Sequence, residues 1–345
     1  LPMSPTFLPN AEIESLTRDR FPEFGDEPVD MDVIERSGSG RCFYRMKNRR
    51  EAPVSIMAMQ FTLDREENGR FVDITKFLQS VNIKVPGIRG EISDPNILWV
   101  DDLGNQHLID CCDRDWNSRQ LLYQHTLLAI AALHDIGEKE APATLPELEK
   151  PFDEPLYKWE QDYFFEMFVA NFCKKADGEM IESIRHGSQL RELRESLAAE
   201  PRSLVHRDFQ STNVMVVRGR TWMIDYQGMR WGVPEYDIAS LIYDPYVDLS
   251  STQRDELAHF YFEVRQNQEN TPKESYETFE KRLNRAAAQR LMQALGAYGN
   301  LGLNIGKTEF LQHIPVGLDR LREAAVEREI APELGEILET VEFAL

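Results

Sequence analysis

Residues 204–225 read LVHRDFQSTNVMVVRGRTWMID, and this stretch decides the fold class. It sets His206, Asp208 and Asn213 in a His-x-Asp-x4-Asn arrangement ahead of Asp225. Phosphoryl transfer from a nucleotide needs a carboxylate beside the acceptor hydroxyl and oxygen ligands for Mg²⁺, with little covalent help from the protein. Asp208 suits the first task. Asn213 and Asp225 suit the second, because Mg²⁺ takes one or two hard oxygen ligands from a protein. The order of these residues predicts a kinase-type site.

The spacing between these polar residues has a local explanation. Apolar runs at 214–217 and 221–224 flank a turn at 218–220, a pattern typical of a β-hairpin. Such a hairpin would carry Asn213 at the entry of its first strand and Asp225 at the exit of its second, so that the two predicted metal ligands lie side by side. Each residue alone carries little weight, and the prediction depends on the whole arrangement in order.

Three blocks of sequence resemble a known family. With HRDFQSTN at 206–213, MIDYQG at 223–228 and PEYDIASLIYDPY at 234–246, the chain resembles the aminoglycoside-phosphotransferase branch of the protein-kinase-like fold. Within that branch it is most similar to the bacterial sugar kinases that phosphorylate the anomeric hydroxyl of N-acetylmuramic acid and N-acetylglucosamine. Further stretches support this narrower resemblance: 37–46, 152–169, 236–247 and 290–321.

The resemblance implies an α+β, two-lobed protein-kinase-like fold with a small β-rich N-lobe and a larger, mainly helical C-lobe. A chain of 345 residues exceeds the size at which single cores usually stop growing, which agrees with two lobes. We place the N-lobe, with the nucleotide-binding sheet and a Gly-rich loop, at residues 1–102. We place the C-lobe, with the catalytic loop, the Mg-binding hairpin and the acceptor-binding helices, at residues 103–345.

Hydrophobic patterning predicts the elements of each lobe. In the N-lobe the predicted strands are 33–34, 42–46, 54–59 and 97–100, and the predicted helices are 10–20 and 70–81. In the C-lobe the predicted helices ahead of the catalytic loop are 118–136, 156–176 and 189–198.

Two segments are expected to bind the nucleotide. In a two-lobed kinase a Gly-rich loop covers the phosphates, because glycine lets backbone N–H groups approach oxygen atoms closely. That loop would comprise Ser37, Gly38, Ser39, Gly40 and Arg41. Phe43 replaces the third glycine of the usual pattern, and a plain hairpin turn has the same composition. The interlobe segment would grip the base through Asp101, Asp102 and Leu103, although a polar linker has similar side chains.

The third strand departs from the protein-kinase pattern. Residues 54–61 read VSIMAMQF, with Met57 or Met59 where a V-A-I-K strand supplies the phosphate-binding lysine. One interpretation is a degenerate, non-catalytic kinase fold. The other, which we favour, follows from the resemblance, since the similar sugar kinases often carry such a sequence there and are active. Arg41, Arg45 or Lys47 would then supply the missing positive charge, unless they are ordinary surface residues.

Several further residues are candidates for the acceptor side. Arg207, next to the base, is expected to reach phosphate or substrate, or else to form a salt bridge within the lobe. His206 and Asp237 are expected to be structural, with Asp237 serving as a helix cap or as a brace to the loop. By resemblance, acceptor-binding side chains besides Asp208 would be Glu160, Asp244 and Tyr246.

The composition of the chain limits the kinds of molecule that it is expected to bind. The formal net charge of −20 argues against nucleic acid or an anionic membrane as a partner. No signal peptide opens the chain and no run of 18 apolar residues occurs, so we expect a cytoplasmic protein, acting as a monomer on a small molecule. The expected cofactor is Mg²⁺ and the expected co-substrate is ATP, with GTP as an alternative.

Three functions stay open at this point. The first is an ATP-dependent kinase for the anomeric hydroxyl of N-acetylmuramic acid or N-acetylglucosamine in cell-wall recycling. The second keeps the reaction but takes an aminoglycoside, choline or another small alcohol, and a cationic acceptor would need carboxylates concentrated around its site. The third is a pseudokinase that binds nucleotide without turnover.

Overall fold

The computed structural model describes residues 7–25, 28–37, 40–51 and 53–342. The chain divides into two compact units. The smaller unit comprises the chain up to Gln106 together with 144–147 and 215–227, and the larger unit comprises 107–143, 148–214 and the chain from Gly228 onward. The functional division into residues 1–102 and 103–345 stays a prediction.

Strands are concentrated in the smaller unit. In the described part of the chain the strands are β1 (Val29–Ser37), β2 (Arg41–Asn48), β3 (Ser55–Phe61), β4 (Ile88–Ser93), β5 (Asn96–Asp101), β6 (Ser203–Val205), β7 (Val214–Val217), β8 (Arg220–Met223) and β9 (Arg230–Gly232). The first five form one antiparallel sheet in the order β1-β2-β3-β5-β4. β6 pairs with β9, and β7 pairs with β8, which confirms the predicted hairpin.

The two faces of the five-stranded sheet have different surroundings. Directly opposed residues of an antiparallel pair project to the same face, and neighbours along a strand alternate. In the register of β2 and β3, Arg41 lies opposite Phe61 and Arg45 lies opposite Met57. The alternate residue Tyr44 is fully buried in a core cluster. The two arginines and Met57 therefore project from the face that turns away from this core.

α-Helices are the most abundant regular element in the described part of the chain. They are α1 (Asn10–Arg20), α2 (Glu66–Gly69), α3 (Phe71–Ser80), α4 (Trp116–His134), α5 (Glu154–Phe164), α6 (Ala170–Phe172), α7 (Gly178–Arg185), α8 (Ser188–Ala199), α9 (Pro234–Ile242), α10 (Ser251–Gln266), α11 (Tyr276–Gly299), α12 (Ile314–Leu321) and α13 (Leu334–Leu338). Several begin at side chains that accept from the free N–H groups of the first turn, as Asp115 does for α4 and Asp153 for α5. α10 begins with a capping box between Ser250 and Gln253.

The core of the smaller unit packs α1 against the sheet. Trp99 of β5 is fully buried, and its indole Nε1 donates to Thr17 Oγ1 of α1 at 2.8 Å. Ile13 of α1 and Phe24 are buried in the same cluster. Burying a large apolar side chain stabilises a fold by about 1.5–3 kcal/mol, so these contacts hold the sheet and helix together as one layer pair.

The predicted elements agree with the structure in most places. The helices predicted at 10–20 and 70–81 correspond to α1 and α3, and the buried face of α3 includes the predicted Phe71, Ile74, Phe77 and Leu78. β4 was missed because its sequence, IRGEIS, has few apolar residues and a central glycine. The sheet and the helix-rich remainder confirm the α+β class.

Among the helices in the described ranges, none has both the length and the hydropathy that crossing a bilayer requires.

Candidate active site

The catalytic loop lies in the larger unit and begins where β6 ends. Val205 closes β6, and the loop continues through His206 to Gln210 into a 3₁₀ turn at Ser211–Asn213. His206 is buried, with its ring 5.4 Å from that of Phe209. Arg207 has a φ of +82°, a conformation that non-glycine residues rarely adopt. Such backbone persists only where surrounding contacts hold it in place.

Those contacts come from Asp237 in the first turn of α9. Its Oδ2 accepts from the His206 backbone N–H at 2.6 Å, and its Oδ1 accepts from the Arg207 N–H at 2.8 Å. Asp237 is fully buried, and its Oδ2 also lies 3.0 Å from Nε2 of His134. It does not cap the helix. The predicted brace to the loop is therefore confirmed, and it fixes the unusual backbone at Arg207.

The far end of the loop is held in a similar way. Asp244 is buried, and its Oδ2 accepts from both the N–H (2.8 Å) and the hydroxyl (2.6 Å) of Ser211. Asn213 Nδ2 donates to the backbone oxygen of Asp208 at 2.8 Å. Because the amide nitrogen faces that carbonyl, the orientation of the Asn213 side chain is fixed and its Oδ1 points elsewhere. The predicted base and the predicted metal ligand are thus joined by one hydrogen bond.

The carboxylate of Asp208 lies between two guanidinium groups. Arg207 Nη1 is 3.6 Å from Oδ2, and Arg290 Nη2 is 3.6 Å from Oδ1. The Asp208 side chain is 36% exposed. Burial would raise the pKa of Asp208, but the charges of Arg207 and Arg290 outweigh it and hold that pKa below its usual range. Asp208 is ionised at neutral pH, as a base must be.

Asp225 belongs to the smaller unit and is separated from the end of β8 by Ile224. Its φ is +62°, again the left-handed region. The next residue, Tyr226, is fully buried, stacks on Phe71 at 5.1 Å and shares a 2.8 Å hydrogen bond with Thr75 of α3. Gln227 Nε2 donates to Asp225 Oδ1 at 3.0 Å. Anchoring of Tyr226 on α3 therefore fixes where the carboxylate of Asp225 projects.

Arg41 forms an ion pair with Asp225 inside the same unit. Its Nη1 lies 2.7 Å from Asp225 Oδ1, and its side chain is 9% exposed. Arg45 has other partners, since it pairs with Asp102 at 2.9 Å and donates to Gly104 O at 2.7 Å. Lys47 is exposed. Of the three basic residues considered for the missing lysine, Arg41 is the one paired with a predicted metal ligand.

The structure describes part of the predicted Gly-rich loop. Gly38 and Ser39 lie outside the described residues, and Ser37 ends β1 opposite Arg41. Gly40 has a φ of +72°, and a Cβ there would meet Thr62 Oγ1 at 2.7 Å, so a larger residue would strain the turn. The left-handed backbone at Gly40 agrees with both the phosphate-binding and the plain hairpin interpretations.

The side chains of the interlobe segment have structural partners. Asp101 accepts from the Gly87 N–H at 2.8 Å and pairs with Arg89. Asp102 accepts from Ser55 and from the Gly104 N–H, and pairs with Arg45. Burial opposes ionisation of Asp102, but these hydrogen bonds outweigh it and lower the pKa. Leu103, the third predicted nucleotide contact, is half-buried.

The predicted acceptor-side residues lie in the larger unit. Glu160 is buried, with Oε1 accepting from Tyr236 at 2.7 Å and Oε2 from Gln289 at 3.0 Å. Burial raises the pKa of Glu160 against the effect of these hydrogen bonds. Tyr246 is half-buried and meets His313 edge-on at 4.4 Å. Roles in acceptor binding stay predictions for Glu160, Asp244 and Tyr246.

Sequence reasoning missed Arg290 of α11. It lies 82 residues beyond Asp208 in the chain, within a helix whose neighbouring residues are mostly apolar, so no local motif connects the two. The one available signal was a basic residue among buried positions of a long helix, which requires a partner because isolated charges are rarely buried.

The candidate metal ligands do not form a self-sufficient metal site. In the ranges that the structure describes, there is no cluster of three or more His, Cys, Asp or Glu side chains that could hold a metal ion. Mg²⁺ is commonly bound through one or two protein oxygens together with nucleotide phosphates. Asn213 and Asp225 fit that mode, as a neutral amide oxygen and one carboxylate.

Comparison with known proteins agrees with this geometry. The profile of the phosphotransferase enzyme family matches residues 45–277. The chain belongs to this family. The matched range contains the catalytic loop, the hairpin and Asp225, and it confirms the resemblance noted from the sequence.

Curated relatives of this phosphotransferase cover most of its length. An N-acetylmuramate/N-acetylglucosamine kinase of Pseudomonas putida is 25% identical over 335 residues, 95% of this chain and 92% of the relative. A kinase of the same name from Neisseria meningitidis is 26% identical over 291 residues, 83% of this chain and 84% of the relative. With the family match, these relatives identify the chain as a small-molecule kinase.

Solved structures confirm the fold. A choline kinase from Cryptosporidium parvum matches with a TM-score of 0.64 at 14% identity, over 96% of this chain and 99% of that chain. An ADP-bound aminoglycoside phosphotransferase matches with a TM-score of 0.57 at 13% identity, over 92% of this chain and 99% of that chain. The predicted protein-kinase-like fold is confirmed, and at these identities the likeness extends to the fold alone.

Proposed function

We propose that this phosphotransferase moves the γ-phosphoryl group of ATP to the anomeric hydroxyl of N-acetylmuramic acid or N-acetylglucosamine, as a step in cell-wall recycling. The single observation that carries the reaction type is the braced loop in which an ionised Asp208 is joined to Asn213. The names of the full-length relatives support the choice of acceptor.

In this proposal each residue has one task. Asp208 accepts the proton of the attacking hydroxyl and keeps that oxygen aimed at the phosphorus atom. Asn213 and Asp225 supply oxygen ligands to Mg²⁺, which neutralises charge on the phosphate oxygens when bound. Arg41 supplies the positive charge that the third-strand methionines lack, because it projects from the same sheet face as Met57 and lies against Asp225.

The nucleotide would be held by backbone groups. The turn from Ser37 to Gly40 would place N–H groups on the phosphates, and the segment from Asp101 to Leu103 would contact the base. Since Asp101 and Asp102 already have partners, their carboxylates would stabilise this segment while its backbone makes the contacts. ATP is the proposed co-substrate, with GTP as the alternative.

The strength of the base suits a sugar hemiacetal. A carboxylate whose pKa is held low is a weak base, and it removes a proton more readily from a more acidic hydroxyl. The anomeric hydroxyl of a reducing sugar is more acidic than an ordinary alcohol. An ordinary alcohol, such as that of choline, is less acidic, and its deprotonation would require a stronger base.

The charge around the base disfavours a cationic acceptor. Two guanidinium groups face the Asp208 carboxylate, with Arg207 Nη1 at 3.6 Å from Oδ2 and Arg290 Nη2 at 3.6 Å from Oδ1. An aminoglycoside or choline would need carboxylates at this position. A neutral sugar, or one with a carboxylate such as N-acetylmuramic acid, meets no such repulsion. This observation favours the amino-sugar hypothesis over the cationic alternatives.

The test is consumption of Mg·ATP with each amino sugar, with wild type beside Asp208→Asn, and phosphorus NMR to place the new phosphate. We expect a sugar 1-phosphate from wild type and a loss of about 10²–10⁴-fold in kcat for the variant. If the enzyme phosphorylates choline or an aminoglycoside but neither sugar, the assignment of an amino sugar as the acceptor is wrong. Nucleotide binding without turnover on any acceptor would instead support the pseudokinase hypothesis.

A further inference from the structure

Arg290 on α11 is a buried arginine of the larger unit that approaches the predicted base. Its side chain is 10% exposed and its Nη2 lies 3.6 Å from Asp208 Oδ1. Arg320 and Arg254, which are also buried, direct hydrogen bonds to backbone carbonyl oxygens at Val247 and Leu249, and Arg254 also pairs with Glu323. Those two arginines secure loops, whereas Arg290 faces the predicted base.

The guanidinium of Arg290 is held by groups other than the base. Its Nε donates to Ser240 Oγ of α9 at 2.9 Å, Nη1 donates to Gln293 Oε1, and Nη2 approaches Gln210 Oε1 at 3.4 Å. Ser240 in turn donates to the Tyr236 carbonyl oxygen at 2.8 Å. With these contacts the group keeps its position without help from Asp208, which is the condition for a preorganised charge.

The distance to the base is also informative. A structural arginine–carboxylate pair is usually bidentate, with N···O distances near 2.8 Å that occupy the carboxylate lone pairs. Here each oxygen of Asp208 faces one guanidinium at 3.6 Å, Arg207 on Oδ2 and Arg290 on Oδ1. Positive charge acts on both oxygens while their lone pairs stay available to an acceptor hydroxyl.

We propose that Arg290 is a positioning residue for the catalytic base: from α11 it orients Asp208 and balances its negative charge on the Oδ1 side, as Arg207 does on the Oδ2 side. This inference rests on the proposed function for the role of Asp208 as the base. It assigns to α11 a part in the reaction that acts through Asp208, besides any part in holding the acceptor.

The central experiment is a double-mutant cycle between Arg290→Met and Asp208→Asn. Met removes the charge but retains a long side chain. Alone, Arg290→Met is expected to lower kcat about 10–100-fold, because a misplaced base costs about that much, while KM for ATP changes less than about 2-fold. In the Asp208→Asn background it is expected to have no further effect on kcat, since the residue acts through Asp208.

Two further variants separate positioning from folding. Arg290→Lys retains the charge but loses the fork geometry, and we expect it to recover most of the kcat that Met loses. Arg254→Met removes an equally buried arginine of α10, and we expect it to lower the thermal unfolding midpoint while leaving kcat close to wild type. Circular dichroism at the assay temperature verifies that each variant is folded.

The inference is overturned if Arg290→Met keeps wild-type kcat, or if it lowers kcat equally with and without Asp208. Measuring ATP hydrolysis by water in the same set of variants makes the test independent of the sugar. If neither sugar is phosphorylated but hydrolysis depends on Asp208 and Arg290 as a unit, the acceptor assignment fails and the positioning role stands.

Discussion

Two regions of the molecule each hold a charged side chain at a fixed position, and they do so in different ways. One is the catalytic loop of the larger unit, and the other is the pair of strands β2 and β3 of the smaller unit. The loop follows the kinase pattern residue by residue, and buried carboxylates at Asp237 and Asp244 secure its backbone. The strands depart from the pattern, with Met57 or Met59 where lysine is usual and Arg41 on the same face. The first solution is local in sequence, and the second depends on strand register.

The difference shows which residues of a phosphoryl-transfer site can be replaced by others and which cannot. A base must lie within about an ångström of its working position, so the peptide units that carry it are braced and the residue order is fixed. A cation that stabilises phosphate acts through a longer-range interaction, and a guanidinium from the adjacent strand can replace an ammonium. We therefore expect larger losses from changes at the loop and the metal ligands than from changes at Arg41.

After Asp208→Asn, the largest effect is expected at the predicted metal ligand Asp225, which lies beside Arg41. Asp225→Asn replaces a carboxylate by a neutral amide, and kcat should fall about 10²–10³-fold because transition-state charge on the phosphate is stabilised less well. Steady-state kinetics across a Mg²⁺ titration would measure this loss and a weaker apparent affinity for the metal. The control Asp255→Asn changes an exposed carboxylate of α10 and should have no effect. Wild-type kcat in Asp225→Asn would remove Asp225 from the proposed site.

The next effect tests whether the loop depends on its brace. Asp237→Asn places an amide N–H₂ against two backbone N–H donors, and leaving a buried donor unsatisfied should lower the free energy of unfolding by about 3 kcal/mol. Urea unfolding measures this loss, and kcat measured well below the transition should fall about 10-fold as the base is misplaced. The exposed Asp248→Asn serves as the control. Full stability with full activity would show that the loop holds its shape by other means.

A smaller effect is expected for the replacement cation. Arg41→Ala should raise KM for ATP about 10-fold, since one charge-assisted contact to phosphate is lost. Lys47→Ala, on the same strand and face but exposed, is the matched control. Adding Met57→Lys to Arg41→Ala should recover part of the affinity, because residue 57 projects from the same face. If Arg41→Ala binds ATP as tightly as wild type, then Arg41 does not replace the missing lysine.

The contrast between local features and features that depend on strand register also explains how much of the fold and the site could be predicted from the sequence. Asp208, Asn213 and the β7–β8 hairpin are close in sequence, so spacing alone predicts the loop and the hairpin, while the placement of Asn213 beside Asp225 stays a prediction. The bracing role of Asp237 could also be proposed, because this acidic residue lies near the start of the apolar stretch that forms the next helix. These features are local, and local patterns determine them.

Features that depend on distant parts of the chain were not predictable. Arg290 meets Asp208 only because α11 packs near the loop, and nothing in its own helix marks it. The choice of Arg41 over Arg45 required the strand register and the partners of each side chain. β4 required its pairing with β5, since its own residues have weak strand character.

The smallest effect concerns the pH dependence of the brace. His134 of α4 is fully buried, with Nε2 at 3.0 Å from Asp237 Oδ2 and Nδ1 at 2.7 Å from the Tyr261 hydroxyl. One donor and one acceptor suit a neutral imidazole. Burial lowers the pKa of His134 and outweighs the opposing effect of Asp237.

A histidine whose folded-state pKa lies below its unfolded value of about 6.5 binds more protons when unfolded, so stability is lost as the pH falls below about 6.5. The loss is at most about 1.4 kcal/mol for each pH unit in that range. Urea unfolding at pH 7.5, 6.0 and 5.0 should therefore show a shallower decline for His134→Gln than for wild type. His125→Gln exchanges an exposed histidine of the same helix and should leave the curve unchanged. An equal decline would mean that the pKa of His134 is the same in the folded and unfolded protein. If His134→Gln declines more steeply than wild type, then His134 is charged in the folded protein and Asp237 braces the loop as half of a buried ion pair. The catalytic loop would then depend on paired charge as much as β2 does.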